Sequence, residues 1–390
     1  MSISSLQEGA ERHAHEIGAA TKTAVNDWSH PGPAAFDFRS DTITTPTARM
    51  LEAISLTSLL DDVYQEDPTT NDLESFIADL TRKEAALLVL SGTMGNQVAI
   101  RTHLQGPPHG IVTDQNTHIM QWEAGGVAVL CGALMQTVLP TNGRYVTLED
   151  IQKVAVIGDD IHYCPTKLIS LENTINGAVV PLAECQRIYS WAREHGIPVH
   201  LDGARLWEAV AAGAGSLKDY CACTDSVSLC FSKGLGAPIG SILVGSKEFV
   251  KRARWIRKSL GGGLRQAGVV TSAAKVAVED QFLSGKLVAV HERARQAEAL
   301  WKKYGGQTAK PVETNMIWLD LAHAEISAEK FIEEGQKAGL RLSGGRLVMH
   351  HQIGDEAMLR LETLIKAVLK NETMQGTVDH PPEKLAITTE

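Results

Sequence analysis

Short apolar runs alternate with stretches of helical periodicity along most of the chain. Ala85–Leu90, Ala128–Cys131, Leu168–Leu171, Val199–Leu201, Val227–Phe231 and Ile239–Val244 each read as a buried strand. Between them, Leu182–Glu194 places Leu182, Cys185, Ile188, Tyr189 and Ala192 on one helical face, and Gly196 and Pro198 end it just before the next apolar run. This alternation predicts an α/β layer built on a mostly parallel sheet. After residue 275 the pattern changes to a long helix over Ala277–Lys302, followed by strands near Asn315–Leu321 and Arg346–Met349 flanked by helices. The expected organisation is a polar N-terminal arm over 1–35, a large domain over 36–275, a smaller α+β domain over 276–370 and a tail over 371–390. No repeat of 20–50 residues is present, which disfavours a solenoid.

Charge narrows the class. Forty-six acidic against 37 basic side chains leave a net charge of −9, which argues against a large nucleic-acid footprint. The six cysteines form no C-x-x-C pair, and Cys221 and Cys223 lack a matching Cys/His pair, so neither a disulfide framework nor a metal site is expected. Residues 1–30 carry Glu8, Glu11, His13, His15 and Glu16 where a signal peptide needs an apolar run. No stretch approaches the roughly 18 apolar residues of a membrane span. A cytoplasmic protein with no membrane partner is the expectation. The 34 glycines, free of any low-complexity tract, must occupy chosen turns.

Four signals stand at the ends of predicted strands, where ligands bind open α/β sheets. Ser91-Gly92-Thr93-Met94-Gly95-Asn96 follows one strand, and the first N–H groups of the next helix favour an anion such as phosphate. It is neither a dinucleotide fingerprint nor a Walker A sequence. Asp202, in His200-Leu201-Asp202-Gly203-Ala204-Arg205, ends another strand, where a buried acid needs a cationic or hydrogen-bonding partner. Ser232-Lys233-Gly234 follows a third, and a desolvated lysine is a good imine-forming nucleophile. Gly261-Gly262-Gly263-Leu264-Arg265-Gln266 reads as a tight loop aiming Arg265 at an anion. Each signal alone has a structural alternative: a plain turn, an Asp202–Arg205 ion pair, a solvated lysine, a flexible loop. Together they match the needs of pyridoxal 5'-phosphate, namely a phosphate cradle, an acid for the ring nitrogen and an amine for the aldehyde.

The chain resembles the threonine aldolase family of fold-type I pyridoxal-phosphate enzymes over about residues 36–365. The resemblance is carried by Phe38-Arg39-Ser40-Asp41-Thr42, Asp61–Pro68, Ser91–Asn96, Leu171-Glu172-Asn173-Thr174, Asp202–Arg205, Ser232–Gly234 and Gly261–Gln266, in that order. It implies a seven-stranded large domain with a smaller C-terminal domain, and cleavage of L-threonine or L-allo-threonine to glycine and an aldehyde. It implies Lys233 as the amine that carries the cofactor, Asp202 at its ring nitrogen and Arg205 near its ring oxygen. Gly92, Thr93 and Ser232 would hold phosphate, with Arg265 reaching over from a second subunit of a homodimer or homotetramer. His118 would stack on the ring. Ser40 and Arg346 would hold the substrate carboxylate, while Tyr64 and Trp122 would edge the pocket. One departure bears on the reaction: Ile175-Asn176 stand where many of these aldolases have a histidine poised for the β-hydroxyl. Fungal alanine racemases of the same scaffold need no such base, which makes racemisation of alanine the alternative.

Overall fold

Residues 30–370 are described by the computed structural model, so the tail and all but the last residues of the arm lie outside it. Nine strands are named here: β1 (Ala85–Val89), β2 (Gly110–Asp114), β3 (Leu134–Val138), β4 (Thr166–Glu172), β5 (Val199–Asp202), β6 (Ser226–Cys230), β7 (Ser241–Gly245), β8 (Met316–Trp318) and β9 (Arg346–Val348). The first seven form one sheet in the order β1-β7-β6-β5-β4-β2-β3. Strand β7 is antiparallel to both neighbours, β1 and β6, and every other pairing is parallel. It follows that β1 runs in the same direction as β6, so the C-terminal ends of β1, β2, β4, β5 and β6 share one edge. The helices used below are α1 (Pro68–Thr81), α2 (Gly92–His103), α3 (Leu182–Glu194), α4 (Lys247–Ser259), α5 (Gly268–Ala277), α6 (Lys286–Lys303), α7 (Ala328–Lys337) and α8 (Asp355–Lys370).

The central strands are buried along their whole length because helices cover both faces, as their unbroken apolar runs require. The α/β class and the mostly parallel seven-stranded sheet agree with the sequence reading, and α3 spans the same residues. Ala128–Cys131 does not: it lies in a helix, Gly126–Cys131, rather than a strand. Four apolar residues carry no periodicity of their own, and Gly125 and Gly132, both in the left-handed region (φ 72° and 62°), close a helical turn around them. The long helix expected over Ala277–Lys302 is likewise divided. Helix α5 passes into a π-helical turn at Val278–Leu283, and Gly285 (φ 76°) resets the chain before α6.

A second core lies against the first. Strands β8 and β9 pair antiparallel, and α6, α7 and α8 close over Trp301, Phe331, Leu347 and Leu361. Phe38, fully buried, belongs to this second core: its N–H donates to Arg341 O (2.9 Å) and its carbonyl accepts from Val348 N (2.8 Å). Leu287 still packs in the large core while Val290 packs in the small one, so α6 carries the chain from one to the other. The packing thus differs from a division at 36 and 275, because apolar periodicity does not register which core a helix faces. Among the described residues, no helix is long and apolar enough to cross a membrane.

Candidate active site

The shared sheet edge gathers the chemistry. Strand β1 leads into α2, where Ser91 caps the helix by accepting from Met94 N (3.1 Å) and leaves the N–H groups of Gly92 and Thr93 facing outward. Glycine is required at 92: an ideal Cβ there would lie 2.7 Å from Cys230 Sγ at the end of β6. Beyond β6, Ser232 and Lys233 sit half-buried in a bend. The Lys233 amine makes no hydrogen bond or ion pair among the described residues, yet its charge reaches the Asp41 and Glu172 carboxyls.

Asp202, buried at the end of β5, accepts from Asn96 Nδ2 at Oδ2 (2.7 Å) and from Ala204 N at Oδ1 (3.0 Å). His118 begins a short helix after β2. Its N–H donates to Glu172 Oε2 (2.7 Å), and its Nδ1 lies 2.8 Å from Glu123 Oε1. Glu123 is fixed in turn by Asn96 Nδ2 (2.8 Å) and Gln97 Nε2 (2.6 Å). His118, Glu123 and Asp202 thereby bring side-chain atoms within 4.8 Å of one another. Burial, and after it the neighbouring Asp202 charge, pushes the Glu172 carboxyl up to about 8.

The ion pair at Arg205 differs from the one the sequence spacing suggested. Its partner is Asp41, not Asp202: Nε and Nη2 grip the Asp41 carboxylate at 2.8 and 2.5 Å. Burial by itself would raise the Asp41 carboxyl, but the fork of Arg205 overrides it and holds the group at about 2. Asn315 adds a third hydrogen bond to Asp41 at 3.2 Å. Ser40, next to Asp41, accepts from Thr42 N (3.2 Å). Arg346, on β9, lies 5.9 Å over the Trp318 ring and has no carboxylate partner among the described residues. Burial, and then the charge of nearby Arg205, lowers its pKa.

Three expected residues are exposed: Tyr64 and Arg265, which meet at Asp61, and Trp122, whose backbone N–H donates to His118 O (2.8 Å). Tyr64 and Trp122 are 70% and 71% exposed. Arg265 points its guanidinium at Asp61 (2.9 Å), whose carboxylate also accepts from Tyr64 N (3.4 Å). Neither Tyr64 nor Arg265 is hydrogen-bonded to Lys233, Asp202 or His118 among the described residues. Ile175 is buried in the large core, and Asn176 occupies the turn after it with φ 51°.

Sequence reasoning assigned no role to Asp41, Asn96, Glu123, Glu172 or His200. Three of these stand inside the motifs that carried the resemblance. His200 had a signal, since two residues before Asp202 on a strand is the same face. Glu123 had none.

The beta-eliminating lyase family matches residues 37–324. An aldolase, vrtJ, of Penicillium aethiopicum is 57% identical over 92% of this chain and 91% of its own. Alanine racemase TOXG of Cochliobolus carbonum is 44% identical over 90% of this chain and 91% of its own. A probable low-specificity L-threonine aldolase of Schizosaccharomyces pombe is 43% identical over 90% and 92%. Among solved structures, the threonine aldolase of Leishmania major superposes with a TM-score of 0.71 at 21% identity, covering 85% of this chain and 99% of that one.

Proposed function

The chain belongs to the beta-eliminating lyase family and groups with its threonine aldolases, and from that membership we propose a pyridoxal-phosphate-dependent lyase that cleaves L-threonine and L-allo-threonine to glycine and an aldehyde. The observation that carries the reading is the Lys233 amine, unpartnered among the described residues at the edge where Asp202 ends β5. The donor set suits the cofactor: an acid at one end, a free amine beside it, and a helix N-terminus with bare N–H groups at Gly92 and Thr93. Bound there, pyridoxal phosphate supplies an electron sink for the pair released when a bond to the substrate Cα breaks.

In this reading Gly92, Thr93 and Ser232 would hold the phosphate, Asp202 would accept a hydrogen bond from the protonated ring nitrogen, and Lys233 would supply the amine for the aldehyde. Asp41 fixes the Arg205 fork, so Arg205 presents its free edge near the ring oxygen. Ser40 and Arg346 take the substrate carboxylate; an unpaired guanidinium is suited to that. His118 would stack on the ring. Its Nδ1–H points at Glu123, which leaves Nε2 as the basic nitrogen to take a proton from the β-hydroxyl, a task Ile175 and Asn176 cannot perform. Arg265, with Tyr64 beside it across Asp61, is assigned to a neighbouring subunit's pocket, which makes the enzyme a homodimer or homotetramer, while Trp122 edges the pocket of its own chain next to His118.

The replacement of the family histidine by a core isoleucine favours one second reading, alanine racemisation, which needs no β-hydroxyl base. An assay of purified protein separates them. Glycine and acetaldehyde released from threonine or allo-threonine is the expected result. D-alanine from L-alanine with no aldehyde from either threonine would overturn the lyase.

A further inference from the structure

A chain of hydrogen bonds leaves the Asp202 end of the site and runs back through the sheet, using side chains that the proposed reaction does not employ. It begins at Asn96, whose Nδ2 donates to both Asp202 Oδ2 (2.7 Å) and Glu123 Oε1 (2.8 Å). Both N–H bonds are then committed, and Oδ1 can only accept. The group facing Oδ1 is His200 Nε2 at 3.2 Å, which must therefore carry its proton. A neutral imidazole with Nε2–H has a bare Nδ1, and that atom lies 2.8 Å from Ser226 Oγ. Ser226 spends its one proton there, so it accepts from His103 Nε2 at 2.7 Å. Every donor from His103 onward points the same way, toward the two carboxylates.

The physical setting makes the direction firm. His200 and Ser226 are fully buried on neighbouring strands, β5 and β6, and their register pairs them directly. Burial lowers the His200 pKa to about 4, although Asp202 pulls it upward, and lowers that of His103 to about 3, so both rings are neutral. Aligned hydrogen bonds in a low dielectric polarise one another, and the end of the chain gains most. At its far end His103 stacks on Phe249 (4.7 Å between ring centres) and lines a cleft of about 530 Å³ with Arg82, Lys83 and Arg252. Pro198 and Thr224, which precede β5 and β6, line the same cleft, so it opens at the edge opposite Lys233.

We propose that His200, Ser226 and His103 are positioning residues that, through Asn96, lock the Asp202 carboxylate onto the cofactor ring nitrogen. This rests on the pyridoxal-phosphate reading of the site. Without the His200 donor, Asn96 Oδ1 is buried and unpaired, and the amide loses the partner that polarises its N–H groups toward the two carboxylates. Asp202 then receives a weaker N–H bond, its carboxylate becomes more basic, and the shared proton moves from the ring nitrogen toward it.

The test uses whole enzyme loaded with pyridoxal phosphate labelled with ¹⁵N in the ring. The expected wild-type signal is that of a protonated ring nitrogen. His200→Phe should move it toward the unprotonated position and weaken cofactor affinity on the order of tenfold, as loss of an outer partner does at held groups. His200→Gln, which keeps an N–H near the place of Nε2, should restore both. Ser226→Ala, a change of one oxygen, should give a smaller shift of the same sign and decides the matter if His200→Phe does not fold. An unmoved nitrogen signal and unchanged affinity in Ser226→Ala and in folded His200→Phe would overturn the relay, as would a His200→Gln protein that behaves like His200→Phe. Borohydride treatment of the wild type separates the two levels: failure to fix cofactor on Lys233 sinks the functional reading and the relay with it, whereas fixation with an unmoved signal sinks the relay alone.

Discussion

Asp41 and Arg205 stand 164 residues apart and form the tightest electrostatic contact around the site. Arg205 would otherwise be a cation stranded near the sheet edge, and Asp41, with 0% exposure, would be a buried charge without compensation. The pair also sets an acid limit. A carboxyl at about 2 when folded, against 3.8 ordinarily, contributes stability that is fully present above about pH 4 and is lost as pH falls toward 2. The shift corresponds to on the order of 2 kcal/mol. Asp41→Asn keeps the shape but strands the guanidinium, and should cost about 3 kcal/mol at pH 7. Urea unfolding at several pH values should show that deficit shrinking between pH 4 and 2. A deficit independent of pH across that window would mean the charge is not what stabilises the contact.

At the scale of elements, glycines decide where helices stop. Gly285 resets the backbone between the π-helical turn and α6 with φ 76°, and no atom lies within 4 Å of where its Cβ would be. Gly285→Ala should therefore cost only the left-handed penalty, about 1 kcal/mol. Gly236, in the loop after Lys233, has φ 80° and also lacks space: a Cβ there would lie 2.5 Å from His351 Cε1. Gly236→Ala should cost more than twice as much, because strain and overlap add. Denaturant titration of the two variants measures the difference, and equal losses would show that the His351 ring yields freely.

At the scale of the molecule, the exposed set around Arg265 is the part that a single chain leaves unexplained. Tyr64, Leu56 and Leu60 are all more than half exposed, an unusual display for large apolar side chains. A partner subunit that takes Arg265 into its own phosphate site would account for it. Mixing Lys233→Ala with Arg265→Ala protein, each inactive alone, should then restore activity. Random exchange between dimers pairs one intact Lys233 with one intact Arg265 in about a quarter of the sites. No recovery after subunit exchange would place Arg265 in the site of its own chain.

The sequence by itself determined the α/β class, the residue types at the strand ends and hence the chemistry, because a strand-end acid, a strand-end lysine and a glycine-led helix start are local features. It left two strands, β2 and β3, unread, and it took Ala128–Cys131 for a strand, since four apolar residues fit either element. The tertiary structure decided the pairings. Arg205 turns to Asp41 rather than to Asp202 three positions away, and Asn96 joins Asp202 and His200 of β5 to Glu123 from a separate segment. Such contacts depend on the order of strands in the sheet and on which edge each one ends at. Those are properties of the whole fold, and no spacing along the chain encodes them.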